Sequence, residues 1–131
     1  MATTQDALQI SAIVPTLTVD DLQMSISFYE ALGFVVDERW DDNGTLLGVM
    51  MRAGKNQIGL NQDDWKKGRD RQKGIGVRLS MSTQNVDEIA ARITRAGTTL
   101  KSEPQDTKWN SRAFEVADPS GFLLTIYSDI A

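Results

Sequence analysis

Arg78 is the side chain of this sequence that is best placed to bind a small molecule. Residues 77–83 alternate apolar and polar side chains, so Arg78 and Ser80 share the polar face of a predicted strand. The planar guanidinium offers a fork of donors that matches a carboxylate, a phosphate or a carbonyl group. Arg78 is therefore a candidate ligand anchor. The alternative is a structural ion pair with Glu115, because a buried arginine needs an anion.

Smaller polar side chains can complete a binding site around this cation. Asn61, Ser80 and Thr125 can form hydrogen bonds without filling the space that a ligand needs. Glu115 is the carboxylate that could act as a general base in apolar surroundings. If the chain catalyses a reaction, we expect Glu115, Tyr127 or Arg78 to carry it.

Two of the three tryptophans are candidates for stacking on a planar ligand. Trp109 lies in a predicted loop before the last hairpin, and Trp40 lies at the end of a predicted strand. Flat aromatic walls suit drug-like molecules. The alternative is that these rings cover edges of the core. Trp65, in a polar linker, is expected to close the site or to lie at a dimer contact.

The sequence contains neither cysteine nor histidine. This excludes disulfides, thiolate chemistry, Ser-His-Asp catalysis and every metal site built on imidazole or thiolate ligands. Any acid–base chemistry would need Glu, Asp, Tyr or Lys with a shifted pKa.

The composition is that of one ordinary globular domain, with 131 residues of which 40% are hydrophobic and 24% charged. A net charge of −4 argues against a nucleic acid or an anionic membrane as partner. The first residues, MATTQDALQI, lack the basic and apolar regions of a signal peptide. No stretch is apolar for long enough to span a bilayer, so we expect a cytoplasmic protein.

The elements that must position these side chains occur twice in the sequence. VPTLTVDDLQMSISFYEALG (14–33) and RLSMSTQNVDEIAARITRAG (78–97) align without a gap at an offset of 64. Each predicts a strand, a capped helix and a glycine stop. The strand that ends each half also repeats, as IGL (58–60) and LTI (124–126).

This duplication predicts an α+β fold of two βαβββ modules within a single domain, 1–131. Module one covers about 11–62, a polar linker 63–73, and module two about 74–128. Strands are predicted at 12–19, 34–40, 45–52, 56–62, 77–83, 98–102, 112–117 and 122–127, with helices at about 21–33 and 85–96. Each helix should cover one face of a curled sheet, and the opposite, more polar face should form the wall of a cup.

The segment TLTVDDLQMSISFYEALGF, together with F-x-V-x-D-P-x-G at 114–121, resembles the vicinal oxygen chelate superfamily. That superfamily includes glyoxalases, extradiol dioxygenases, fosfomycin-resistance enzymes and bleomycin-resistance proteins. The resemblance runs from about Ala12 to Ser128. It implies curled half-barrel sheets with helices outside, and a homodimer whose modules pair across chains.

The resemblance also implies where a metal would bind. Metal-dependent members carry their ligands at positions that correspond here to Val14, Gly59, Arg78 and Thr125. None of these residues supplies a charged donor, and Arg78 is a cation that would repel a divalent ion. We therefore expect no metal and no other cofactor.

The departure from the ligand pattern favours the metal-free, bleomycin-resistance-like branch. We expect a small-molecule binding protein that holds a planar organic ligand in its cup, for drug sequestration or sensing. The alternative is a divergent glyoxalase-like isomerase, lyase or dioxygenase-family enzyme without the usual metal ligands. An inward Glu115 without a partner would favour the enzyme, whereas a cup filled by its own side chains would favour a scaffold that only pairs with another protein.

Overall fold

Two four-stranded sheets, each covered by one helix, form the computed structural model, which describes residues 7–130. The first module contains β1 (Thr16–Val19), α1 (Leu22–Leu32), β2 (Val35–Asp42), β3 (Thr45–Ala53) and β4 (Asn56–Gln62). The second contains β5 (Arg78–Ser82), α2 (Val86–Arg95), β6 (Ser102–Asp106), β7 (Ser111–Ala117) and β8 (Leu123–Asp129). The strand orders are β1-β4-β3-β2 in sheet A and β5-β8-β7-β6 in sheet B. The predicted α+β fold of two βαβββ modules is confirmed.

The internal repeat extends to the pairing register of the strands. In each sheet the first strand pairs in parallel with the last, which places Thr16 beside Gly59 and Ser80 beside Thr125. These pairs are related by the offset of 64 in the first strand and by the IGL/LTI match in the last. The two halves therefore present equivalent positions on equivalent faces.

Helix α1 forms as its sequence predicts. The Asp21 side chain accepts a hydrogen bond from the Met24 backbone N–H at 3.1 Å and caps the first turn. Gly33 ends the helix with φ = 115°, a left-handed conformation that glycine adopts without a steric penalty. Arg92 of α2 then donates to the carbonyls of Ala31 and Leu32, so the second helix satisfies the end of the first.

The core lies between each helix and its sheet. Alternate strand residues point toward the helices, and their neighbours form the open face of each sheet. The buried strand residues are Leu17, Val19, Val49, Met51, Ile58, Leu60, Phe114, Val116, Leu124 and Ile126. In α1, apolar side chains at helical spacing, namely Leu22, Ile26, Tyr29 and Leu32, are buried as well.

Two strands differ from their predicted positions. Strand β1 begins at Thr16 instead of residue 12, and Ile13 is exposed. Pro15 has no N–H to donate, and only its carbonyl joins the ladder by accepting from the Gly59 N–H. Strand β6 lies at Ser102–Asp106 instead of 98–102. It tolerates Pro104 because it is an edge strand with an irregular register between Ser102 and Gln105.

The linker is more firmly held than a solvated segment would be. The Lys73 side chain is only 4% exposed, and its ammonium contacts Asp20 and lies 2.9 Å from the Asp63 carboxylate. Hydrogen bonding to Asp20 raises the pKa of Lys73, and hydrogen bonding to Lys73 lowers the pKa of Asp63. The Trp65 ring lies 4.7 Å from the same ammonium, an internal cation–π contact.

A buried hydrogen bond joins the two modules. The Tyr29 hydroxyl donates to Asp118 Oδ2 at 2.8 Å, and both residues are buried. The other carboxylate oxygen of Asp118 accepts from the Ser120 and Phe122 backbone N–H groups at 2.9 Å each. Residues 118–121 form a turn in which the Gly121 N–H donates to the Asp118 carbonyl, as the order Asp-Pro-Ser-Gly favours. Asp118 also fixes module two to module one.

Within residues 7–130, neither helix is long and apolar enough to cross a membrane. The interpretation of the first ten residues as lacking a signal peptide depends partly on residues 1–6, which lie outside the described residues.

Candidate ligand-binding site

A cavity of about 530 Å³ opens beside the free edge of β5, where module two faces the β3–β4 turn and the segment that leads into β1. Module two contributes β5, α2 and the last part of β8 to its wall. The lining residues are Ile13, Pro15, Leu32, Phe34, Ala53, Asn56, Gln57, Ile58, Arg78, Leu79, Ser80, Met81, Ser82, Thr83, Ile89, Ile126 and Tyr127. Most of the lining residues are apolar, and the polar ones come from the start of β4, from β5 and the residue after it, and from Tyr127 of β8.

The open face of sheet B carries a row of polar side chains. The pairing register places Ser80, Thr125 and Glu115 next to one another on β5, β8 and β7. Arg78 precedes Ser80 by two residues and so points to the same face, while Leu79 points toward the helix side. The sequence alternation on β5 thus brings the predicted cation to the predicted polar face.

Arg78 makes two contacts within this row. Its Nη1 atom lies 2.9 Å from Glu115 Oε2 and donates to Thr125 Oγ1 at 3.3 Å. The side chains of Arg78 and Glu115 are 52% and 35% exposed. An ion pair this exposed contributes about 0–1 kcal/mol to stability. Both sequence interpretations of Arg78 therefore have support: it pairs with Glu115, and it also lines the cavity.

The remaining module-two candidates take different positions relative to the cavity. Tyr127 and Ser80 line it, whereas Thr125 and Glu115 contact Arg78 and are not among its lining residues. Ser82 and Thr83 line it too. Ser82 could have been identified from the sequence, because it continues the alternation of Arg78 and Ser80.

Asn61 and Trp40 lie on the other sheet. The register on sheet A forms a row of Thr18, Asn61, Gly48 and Trp40 across its four strands. Gly48 leaves room for its neighbours, because a Cβ there would lie 2.6 Å from the Asn61 side-chain oxygen and 3.1 Å from the Trp40 ring. Trp40 remains 41% exposed. Within one chain, neither residue lines the cavity that contains Arg78.

Trp109 also lies away from the cavity. It is 75% exposed in the loop between β6 and β7, and its ring lies 4.9 Å from the Lys108 ammonium. A tryptophan in this position presents a free aromatic surface without touching the Arg78 row.

Module one supplies cavity residues that the sequence reasoning did not select. Asn56 and Gln57 are the first residues of β4, next to the tight β3–β4 turn, and Phe34 follows the glycine that ends α1. Sequence periodicity gave no signal for them, because they reach the cavity only through the packing of module one against module two.

The positions at which related proteins would bind a metal do not fit one here. Val14 offers no donor atom, and Gly59 has no side chain. Arg78 is positively charged, and the Thr125 hydroxyl accepts a hydrogen bond from it. Elsewhere in residues 7–130, no three His, Cys, Asp or Glu side chains form a group that could hold a metal ion. Hard and borderline divalent cations require carboxylate, imidazole or thiolate ligands that this set does not provide.

The class that the structure defines is an α+β fold of paired βαβββ modules, with a cavity beside the first strand of module two. Comparison with protein families agrees: residues 9–126 match the Glyoxalase/Bleomycin resistance protein/Dioxygenase superfamily. The chain belongs to this superfamily. No curated protein was found to match it.

Solved structures reproduce the fold over nearly the whole chain. A superfamily member from Sphaerobacter thermophilus DSM 20745 is 26% identical, with a TM-score of 0.69 and coverage of 92% of this chain and 98% of that one. TioX from Micromonospora sp. ML1 is 21% identical, with a TM-score of 0.75 and coverage of 92% and 99%. A glyoxalase-related enzyme from Fulvimarina pelagi is 19% identical, with a TM-score of 0.73 and coverage of 93% and 89%. The last two similarities show the fold alone.

Proposed function

We propose that this protein binds a small, planar organic molecule in the cavity beside β5, for sequestration or sensing, and that it does so without a metal. The observation that carries the proposal is the composition of the cavity wall. Arg78 is the one charged residue among the described lining residues, and it stands among apolar side chains and small polar groups. This is the usual composition of a pocket that recognises an organic ligand.

The size of the cavity supports a small-molecule ligand. About 530 Å³ lies within the range of about 300–1,000 Å³ that is typical of ligand pockets. Leu79, Ile126 and Phe34 can pack against a flat hydrocarbon, while Ser80 and Tyr127 can form hydrogen bonds with its polar edge. A cavity of this volume leaves room for a ligand beside β5.

Glu115 bears on the alternative of an enzyme. A general base in an apolar site needs to be free to take a proton, but Glu115 Oε2 lies 2.9 Å from Arg78. Thr125 and Ser102 occupy the same row, and the Ser102 hydroxyl accepts from the Glu115 backbone N–H. This arrangement favours a binding site over acid–base catalysis on Glu115.

We further propose that the protein is a homodimer whose modules pair across chains. Sheet A turns an open face to solvent, including Trp40 and Asn61, and both sheets have unpaired edge strands. A second copy would cover such edges, and symmetric pairing is the commonest way for it to do so. In that dimer, Trp40 and Asn61 of one protomer would approach the Arg78 face of its partner.

A thermal-shift screen tests the binding function directly. Aromatic antibiotics, acyl thioesters and small oxo-acids are mixed with the protein, and a compound that binds the native state raises its Tm. For any compound that does so, Arg78→Ala should weaken binding by about 1.5–3 kcal/mol, or about 10- to 150-fold. Arg78→Lys should recover only part of this loss, because an ammonium does not reproduce the planar fork.

Arg95→Ala is the matched control for the Arg78 variant. Arg95 is exposed at the end of α2 and forms no ion pair with any residue of the described range 7–130. It should leave ligand affinity unchanged. Equal binding by Arg78→Ala and wild type, with stability sharply reduced in Arg78→Ala, would show that Arg78 serves only as the structural partner of Glu115.

A further inference from the structure

We propose that Glu115 sets the charge of the ligand: by neutralising Arg78, it makes the cavity select an uncharged molecule with a carbonyl-type acceptor over a carboxylate. This inference rests on the proposed function, because it concerns the same cavity. It assigns to Glu115, which does not line the cavity, the role of a specificity-determining residue that acts through Arg78.

The charge balance of the site is the first support. Arg78 is the one charged side chain among the described residues that line the cavity, and Glu115 lies 2.9 Å from its Nη1 atom. The two opposite charges sum to zero next to the cavity. A ligand therefore meets a strong hydrogen-bond donor without a net positive charge.

The donor geometry of Arg78 is the second support. Nη1 is engaged by Glu115 and Thr125. Among residues 7–130, Nε and Nη2 of Arg78 form no hydrogen bond. One edge of the guanidinium therefore holds the protein carboxylate, while other N–H groups remain to donate to a ligand oxygen.

These two features separate ligands by charge. A carboxylate bound to the free N–H groups would lie across the same guanidinium from Glu115. In this half-exposed site, whose dielectric is close to that of water, two negative charges about 6 Å apart weaken binding by about three- to tenfold. A ketone, quinone or amide oxygen accepts the same hydrogen bonds and does not meet this repulsion.

Benzamide and benzoate are suitable probes, because they share a ring and a planar polar group and differ in charge. Their dissociation constants are measured by NMR titration up to about 20 mM, with the amides of Ser80 and Tyr127 as reporters of the cavity. Wild type should bind benzamide more tightly than benzoate. Glu115→Gln should strengthen benzoate binding about three- to tenfold and leave benzamide binding within about twofold.

Glu88→Gln is the matched control, because it removes the same charge from an exposed position on α2. It should change neither constant. Glu115→Ala should shift the ratio of the benzamide and benzoate dissociation constants in the same direction as Glu115→Gln. It replaces Glu115→Gln in the experiment if that variant does not fold. A purely structural role of Glu115 would weaken both probes together and leave their ratio unchanged.

The outcomes distinguish this inference from the function on which it rests. Cavity binding with benzoate preferred by wild type, or with a ratio that Glu115→Gln does not alter, overturns charge selection and leaves the binding function in place. If neither probe perturbs the cavity reporters in any of the variants, both the selection and the proposed pocket are refuted.

Discussion

Removing the hydroxyl of Tyr29 should destabilise the protein, because it leaves a buried carboxylate oxygen without its donor. The Tyr29 hydroxyl lies 2.8 Å from Asp118 Oδ2, and the exposed fractions of the two residues are 0% and 4%. The two backbone N–H groups that donate to the Asp118 side chain, from Ser120 and Phe122, both bind Oδ1. No other described residue therefore replaces the lost bond to Oδ2. Tyr29→Phe keeps the ring packing and deletes one hydrogen bond to a charged acceptor.

The expected loss follows from this geometry. A hydrogen bond to a charged group contributes about 1.5–3 kcal/mol, and we expect Tyr29→Phe to lower the free energy of unfolding by that amount. For a domain of this size the corresponding decrease in Tm is about 5–10 °C. Urea denaturation followed by tryptophan fluorescence measures the loss. The denaturant slope should be unchanged, since the surface exposed on unfolding is the same.

The pH dependence of this loss has a definite sign. Burial raises the pKa of Asp118 above its ordinary value, and the hydrogen bond from Tyr29 partly opposes that rise. Tyr29→Phe should therefore raise the folded-state pKa further. A carboxyl group whose folded pKa is raised contributes stability below its unfolded pKa, and this contribution is lost as pH rises through the folded pKa. The deficit of Tyr29→Phe should thus be full at pH 7 and smaller near pH 4.

Two further variants test the reasoning. Tyr127→Phe is the matched control, because the Tyr127 hydroxyl forms no hydrogen bond with residues 7–130, and it should cost less than about 0.5 kcal/mol. A double-mutant cycle with Asp118→Asn isolates the coupling between the two side chains. A Tyr29→Phe loss below about 0.5 kcal/mol, or a coupling of zero, would refute the view that this bond joins the modules.

Three other predictions concern the linker, the metal and the assembly. Lys73→Met should lower the urea midpoint more than Lys108→Met does. The stability that Lys73 contributes should be lost as alkaline pH rises through its raised pKa. The stability that Asp63 contributes should be lost as pH falls through its lowered pKa. Elemental analysis should find no stoichiometric Zn, Fe, Ni or Mn, and chelator should leave Tm unchanged; about one metal per chain would contradict the donor argument. Solution scattering should show a dimer that Trp40→Glu weakens, and a wild-type monomer at high micromolar concentration would refute it.

The fold could be predicted from the sequence because local signals and the repeat agree. Asp21 and Gly33 define the ends of α1, and the strand alternation separates Leu17 and Val19 from the polar face. The prediction was wrong where a single proline decided the boundary. Strand β1 begins at Thr16, directly after Pro15, and not at residue 12 as predicted. Pro104 lies in the edge strand β6, whereas the predicted strand ended at residue 102.

The arrangement of the candidate residues on sheet B could be predicted from the sequence. Arg78, Ser80 and Thr125 share a face because of alternation and parallel pairing, both of which can be inferred from local sequence. Asn61 and Trp40 share the face of sheet A that corresponds to the Arg78 face of sheet B. The internal repeat predicts this correspondence, but it does not predict whether the two faces lie next to each other. The long-range role of Lys73 had no local signal either, since it depends on two acids at distant positions in the sequence.

Arg78 shows why the sequence left two interpretations open and why they are compatible. Sequence alternation predicts the face of the sheet on which a side chain lies, but it does not predict how exposed the side chain is. The exposure determines how much an ion pair contributes to stability. A fully buried pair with Glu115 would be structural and closed to a ligand. A pair that is half exposed keeps Arg78 oriented at little energetic gain, and Arg78 still lines the cavity. Under the proposed function, the contact with Glu115 would orient Arg78 for the ligand and would not compete with it.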